Sequence, residues 1–376
     1  MQRKNFPSQR LSGSSVIFLV CFLEGMGFPA RVAGAPLDEF LTAQRGFSPL
    51  HGEYEISFDV MNNKVDIANI RGRDTTYANT DVGDYRGGHI YAGVALTRRL
   101  WVDGSLWSRA IQTPQEPLDG FSWQRAIQYQ LTVNLGKLPA LALRFSQWGN
   151  SAKGVSKKTT LLLGDNTVDN VDIMKPSDEQ TQIDLIGTWN VTKKDSFSVF
   201  VGGGTSKIGF KDFIATMSNN CRYKLDSPSK YQIAGQLVGG TVDECQLVAF
   251  DINDPSPRYP GPDMMQMKYK ATYQHLGGMY QWFNEAWRFR LGARYEMQNR
   301  SMDEDLRASG IPYFDSNTLI TTEVGYKPYK KVAFFVRAQM MNHQLLSEIP
   351  FSYNRFTSSK FGRQYGLLNF GLQGGF

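Results

Sequence analysis

Cysteine, long apolar runs and clustered charge are all scarce in this chain, and each shortage removes a class of protein. Three cysteines occur in 376 residues, and neither Cys221 nor Cys245 has a second Cys or a His at ligand spacing, so no metal site is expected. Beyond the first segment no apolar run approaches the ~20 residues that a membrane helix needs, which excludes helical spans. Mean hydropathy is correspondingly low at -0.36. The formal charge of +6 is spread along the chain without a long basic run, so no nucleic-acid partner is expected. No Gly-x-Ser-x-Gly elbow and no phosphate loop occurs, and no cofactor is implied.

What is present begins with a leader. Arg3, Lys4 and Arg10 precede the apolar run Val16 to Leu23, and small residues follow at Val32-Ala33-Gly34-Ala35. A basic head, a short apolar core and small residues make a secretory signal peptide over 1–34, with cleavage placed after Gly34 because Pro36 would otherwise open the mature chain. In an exported chain Cys221 and Cys245 are expected to form a disulfide. Residues 35–52 are expected to be a periplasmic segment.

From Glu53 onward the pattern has period two. Ile127, Tyr129, Leu131, Val133 and Leu135 alternate with Gln128, Gln130, Thr132 and Asn134; similar alternation runs over Trp287–Gln298 and Val332–His343. One face is apolar and the other polar. Such segments come in pairs joined by short polar turns, for example Thr97-Arg98-Arg99-Leu100 and Lys327-Pro328-Tyr329-Lys330, and longer Gly-, Asp-, Asn- and Ser-rich stretches separate the pairs. The pairs predict strands over 88–97/101–112, 122–135/140–150, 179–191/195–206, 268–282/286–299 and 316–326/331–344, followed by a last strand over 364–376. About 64–73 is read as the first strand, giving twelve, with fourteen as the alternative because Glu53–Val60 also reads as a strand.

The last strand carries a resemblance. Counting back from Phe376, the residues Gly374, Leu372, Phe370, Leu368 and Gly366 are apolar or tiny, while Gln373 and Asn369 lie between them. This resembles the closing strand of bacterial outer-membrane β-barrels, in which the terminal aromatic and alternating apolar positions are the assembly signal. The resemblance implies that Phe376, Leu372, Phe370 and Leu368 face lipid and are read by the barrel-insertion machinery, with periplasmic chaperones, outer-membrane lipid and lipopolysaccharide as further partners. The fold it implies is an all-β, transmembrane, antiparallel up-and-down barrel over 53–376, located in the cell outer membrane. Its short turns would be periplasmic and its long connections extracellular, 207–267 being the longest. That bridged loop is read as either a constriction over the mouth or a surface cap. Trp101, Trp189, Trp282 and Trp287 near the short turns, with Trp123 and Trp148 near the opposite strand ends, are read as two aromatic girdles.

With the apolar face in lipid, the alternate face lines the lumen. That register points Arg144, Arg288, Arg290, Arg294 and Arg337 inward together with Asp103, Asp184, Glu296 and Glu323, and Arg109 less firmly. Permanently charged guanidiniums at such spacing suit guidance of anionic solutes, or else neutralise the carboxylates and fill the lumen with ion pairs. Some outer-membrane barrels are hydrolases; the lipid hydrolases among them place a His two residues before a Ser. Here the four histidines are followed at that spacing by Glu53, Tyr91, Gly277 and Leu345. The acidic loop residues Asp165, Asp169, Asp172 and Asp178 do not have the spacing of a calcium loop. The sequence thus predicts a porin-like channel for passive diffusion of small polar or anionic solutes. The alternatives are a non-conducting barrel that binds a partner or polysaccharide through its loops, and an outer-membrane hydrolase.

Overall fold

The computed structural model describes residues 40–43, 51–61, 84–112, 118–132, 138–163, 166–229, 232–241, 245, 248–251, 268–308, 310–329, 331–343, 349–354, 358–362 and 364–375. The leader over 1–34, the 64–73 stretch and Phe376 lie outside them. In chain order the strands are β1 (Gly52–Met61), β2 (Asp84–Ala95), β3 (Leu100–Gln112), β4 (Leu118–Thr132), β5 (Ala140–Ala152), β6 (Gly154–Leu163), β7 (Asn166–Met174), β8 (Ser177–Asn190) and β9 (Asp195–Gly209). They continue as β10 (Asp212–Met217), β11 (Arg222–Ser229), β12 (Gln232–Gly239), β13 (Val248–Asp251), β14 (Tyr269–Phe283), β15 (Trp287–Arg300), β16 (Ser316–Tyr329), β17 (Val332–Met341) and β18 (Tyr365–Gly375).

Twelve of these close a barrel in the order β1-β18-β17-β16-β15-β14-β9-β8-β5-β4-β3-β2, every pairing antiparallel. The count of twelve holds, with a correction: the first strand is β1, which pairs with β18 from Glu53↔Gly375 to Val60↔Leu368 and so shuts the cylinder. The fourteen-strand alternative is not the one observed.

The burial pattern inverts that of a water-soluble sheet. On β4, Gln124, Gln128 and Gln130 are buried, while Ile127, Tyr129 and Leu131 on the other face are each more than 40% exposed. On β5, Arg144 and Ser146 are fully buried and Leu143 and Phe145 face outward. A continuous apolar exterior of this extent is stable only against hydrocarbon, and closure leaves no strand edge unpaired within the bilayer. Leu368, Phe370 and Leu372 of β18 belong to this exterior, and Asn369 and Gln373 point inside.

The tight turns are shaped by short polar side chains. Thr97 Oγ1 accepts from the amides of Arg99 and Leu100 at 3.2 and 3.1 Å, Thr192 Oγ1 from those of Lys194 and Asp195 at 3.0 and 3.1 Å, and Asn284 Oδ1 from those of Ala286 and Trp287 at 2.9 and 2.7 Å. Each substitutes for a backbone acceptor in a connection too short to supply one.

At the opposite end the wall continues beyond the barrel. Only Lys153 separates β5 from β6, and the Lys175 amide donates to Lys153 O at 3.0 Å, so the β5–β8 ladder runs straight on into β6–β7. Strand β9 likewise runs on into β10, and β10 to β13 complete a six-stranded sheet in the order β13-β12-β11-β10-β7-β6. The long connection between the strands read over 140–150 and 179–191, and the one over 207–267, are therefore partly strand. Their alternation is present, in Phe213-Ile214-Ala215-Thr216-Met217 and Tyr223-Lys224-Leu225, where Phe213, Ala215, Met217, Tyr223 and Leu225 are all buried on one face. The Cys221–Cys245 disulfide forms within that apolar cluster, its Cα atoms 5.7 Å apart.

Candidate functional site in the barrel interior

The outer end of the barrel is closed by apolar packing. Inward residues near the strand tips, including Tyr85, Ile111, Leu319, Tyr365 and Leu367, meet Met302 and Leu306 around the short helix α1 (Asp303–Ala308) and Ile349, Phe351, Tyr353 and Phe361 of the last extracellular connection. Tyr269 Oη ties this cap to the wall by donating to Pro350 O at 2.9 Å and Tyr353 O at 3.0 Å. His343 adds a second tie: its Nδ1 lies 3.2 Å from Phe361 O and its ring stacks on Phe314 at 4.7 Å. Burial holds the His343 imidazole below its ordinary pKa. Among the described residues the mouth is thus filled by the 302–314 and 349–361 connections, whereas the bridged 207–267 stretch, read as a constriction or a cap, contributes to the projecting sheet.

Beneath the cap, the interior charges assemble into distinct groups. Arg144 donates two parallel hydrogen bonds to Asp103, 2.7 and 2.8 Å, and Trp101 Nε1 donates to the same carboxylate at 2.9 Å. Asp184 meets His275 Nε2 at 2.7 Å and accepts from Gln182. This pair needs Gly202: a Cβ there would collide with Asp184 Oδ1 and approach His275 Cε1 to 2.8 Å. Arg294 and Glu296 come within 3.7 Å of each other.

The largest group centres on Glu323, whose side chain is wholly buried. Arg288 reaches it at 2.7 Å, Arg290 at 2.6 and 3.0 Å, and Arg337 at 2.8 and 3.0 Å. Arg337 also spans to Glu55 at 2.9 and 3.1 Å, and His89 Nδ1 lies 3.3 Å from Glu55. Three guanidiniums on two carboxylates leave this cluster with excess positive charge.

A cavity of about 510 Å³ adjoins the cluster. Its lining includes the cations Arg109, Arg288, Arg290, Arg337, Lys327 and Lys331 against the carboxylates of Glu53, Glu55 and Asp59. The ring of Trp107, stacked on His89 at 3.8 Å, forms part of its wall. Three buried N–H donors in this lining, on Gln124, Arg288 and Gln373, have no protein partner; the acceptor Asn369 Oδ1 and His89 Nε2, whose role depends on the tautomer, also lack one. Buried polar groups of this kind ordinarily find a partner, so the wall is equipped to bind something rich in acceptors.

All nine charged residues singled out in the sequence therefore lie on the inner face, but they fall into four groups. Sequence reasoning missed Glu55, Asp59, His89 and His275. The signal was available: Glu55 and Asp59 occupy alternate positions of a strand whose other face is Ile56 and Phe58, 44% and 70% exposed. The girdle reading needs correction at two positions. Trp101 and Trp148 are buried inside the barrel, since period two puts Trp101 on the face of Asp103 and Trp148 on the face of Arg144. Trp189 and Trp287 are outward, and Trp287 packs on Tyr326 at 4.8 Å.

A closed twelve-strand up-and-down barrel with a polar, charged interior and an apolar outer belt defines a transmembrane barrel of the bacterial outer membrane. No family model and no curated protein matches the chain. Its outline is similar to that of the translocator domain of the autotransporter NalP from Neisseria meningitidis, at 10% identity and TM-score 0.45 over 96% of this chain and 94% of that one. It is also similar to the NanC porin (8%, TM-score 0.39, 86% and 98%) and to LpxR from Salmonella typhimurium (9%, TM-score 0.40, 86% and 99%).

Proposed function

We propose that this barrel is a porin-like, non-enzymatic channel for passive diffusion of small polar or anionic solutes. The observation that carries the reading is the 510 Å³ cavity, whose cations outnumber its carboxylates and whose buried donors await acceptors. A guanidinium keeps its charge at any physiological pH, so a carboxylated or phosphorylated solute would find compensation here that a cation would not. The apolar mouth cap makes the conformation described a restricted one, so conductance is expected to be low or intermittent. Lipid and lipopolysaccharide would surround the belt, and the insertion machinery would engage β18.

The test is a reversal potential across a planar bilayer in a salt gradient. Anion preference that weakens in Arg290→Gln supports the reading; cation preference, or silence under all conditions, overturns it. Silence would favour a second reading, for which the apolar cap speaks: a non-conducting barrel that presents its six-stranded sheet to a partner or surface polysaccharide.

A further inference from the structure

The sequence places 35–52 in the periplasm, yet Phe40–Ala43 lies inside the barrel. Phe40, Leu41 and Ala43 are 2%, 0% and 1% exposed. They meet a socket that breaks the polar-inward rule of the wall: Ala140, Ala142, Ile186 and Phe200, all buried, form one apolar cluster with Leu41 and Ala43. Two hydrogen bonds fix the seat. The Ala43 amide donates to Thr188 Oγ1 at 2.8 Å, and Gln128 Nε2 donates to Thr42 O at 2.8 Å.

The seat is also positioned on the charges. The Phe40 ring lies 4.2 Å from the Arg290 guanidinium and 5.5 Å from that of Arg337, the same groups that gather on Glu323. A second cavity of about 390 Å³, lined by Phe40, Thr42 and residues of the 190–195 turn, shares Glu53, Arg288 and Arg290 with the larger one. Phe40 thus lines the second cavity and lies against Arg290, which lines both.

From this placement we infer that Phe40–Ala43 is a built-in plug at the periplasmic side, held by the apolar socket and by cation–π contact with Arg290 and Arg337, which an anionic solute displaces in order to pass. The socket explains why inward positions of β5, β8 and β9 near the short turns carry Ala, Ile and Phe where polar residues would otherwise be favoured. A carboxylate or phosphate binds guanidinium through its N–H edges, so a solute that draws Arg290 and Arg337 towards itself would pull them from the ring, and plug and solute depend on the same two groups. The inference takes the channel reading as its starting point and adds a gate to it.

The experiment uses the full-length barrel carrying Ala43→Cys with Thr188→Cys, and separately Leu41→Asp, each first shown to fold by heat-modifiable gel mobility. Oxidation should cross-link the cysteine pair and abolish openings, reduction should restore them, and Leu41→Asp should raise open probability several-fold over the unmodified protein. Failure of the folded pair to cross-link overturns the plug. Cross-linking with the same measurable conductance in the oxidised, reduced and Leu41→Asp forms overturns the gate alone, leaving the channel reading standing. A barrel that cross-links but is silent in every form overturns the channel reading and the gate with it.

Discussion

Arg144 and Asp103 face each other across β4 inside the barrel, joined by two parallel hydrogen bonds of 2.7 and 2.8 Å with neither side chain exposed. Removing one partner strands a charge in the interior, which costs about 3–5 kcal/mol, whereas removing both avoids that penalty. Arg144→Met is expected to lower the temperature at which the folded barrel loses its compact gel mobility. The double variant Asp103→Leu/Arg144→Met should recover part of that loss, although Trp101 Nε1 then lacks its acceptor. A double variant worse than the single would show that the pair is not the source of the cost.

The Cys221–Cys245 bridge closes a separation of 24 residues, which by loop entropy stabilises the projecting sheet by about 3 kcal/mol. Reduction, or Cys245→Ser, should accelerate protease cleavage within 210–251 while the barrel keeps its heat-modifiable mobility. The reason is that β10 to β13 lie outside the closed twelve-strand ladder.

The outer cap should loosen in acid. Burial lowers the pKa of His343 below its ordinary 6.5, while the Phe361 carbonyl and Asp315 pull the other way. A folded-state pKa below the unfolded one gives a contribution that is full above 6.5 and is lost as pH falls through the folded value. Cleavage of the 302–314 and 349–361 connections by added protease should therefore quicken between neutral pH and about pH 5, and His343→Gln should flatten that dependence. An unchanged profile in the variant would assign the acid effect elsewhere.

Phe370 sits opposite Phe58 on the seam that closes the cylinder, 43% and 70% exposed. Phe370→Arg is expected to destabilise the inserted barrel by roughly 2–4 kcal/mol if the position lies near the bilayer midplane. Asn369→Arg, one residue along and inward, should spare insertion and act on the interior. Urea unfolding in lipid vesicles measures both.

The strand pattern, the inward set of charges and the lipid-facing positions of β18 were determined by the sequence, because side chains alternate with period two and only a membrane tolerates apolar residues outside and polar ones within. The same parity assigned Trp101 and Trp148 to the interior, against a reading based on their distance from the turns. Two sheets from one pattern could not be told apart: the alternation of Phe213, Ala215 and Met217 says strand, but pairing decides whether a strand closes the barrel or extends past it. Which carboxylate each arginine meets, and that three of them converge on Glu323, depended on contacts between strands far apart in the chain. Least legible was Phe40–Ala43, too short to carry any periodicity. Its place was decided by a socket drawn from β5, β8 and β9 and by two guanidiniums about 250 to 300 residues away, a juxtaposition that only closure of the barrel creates.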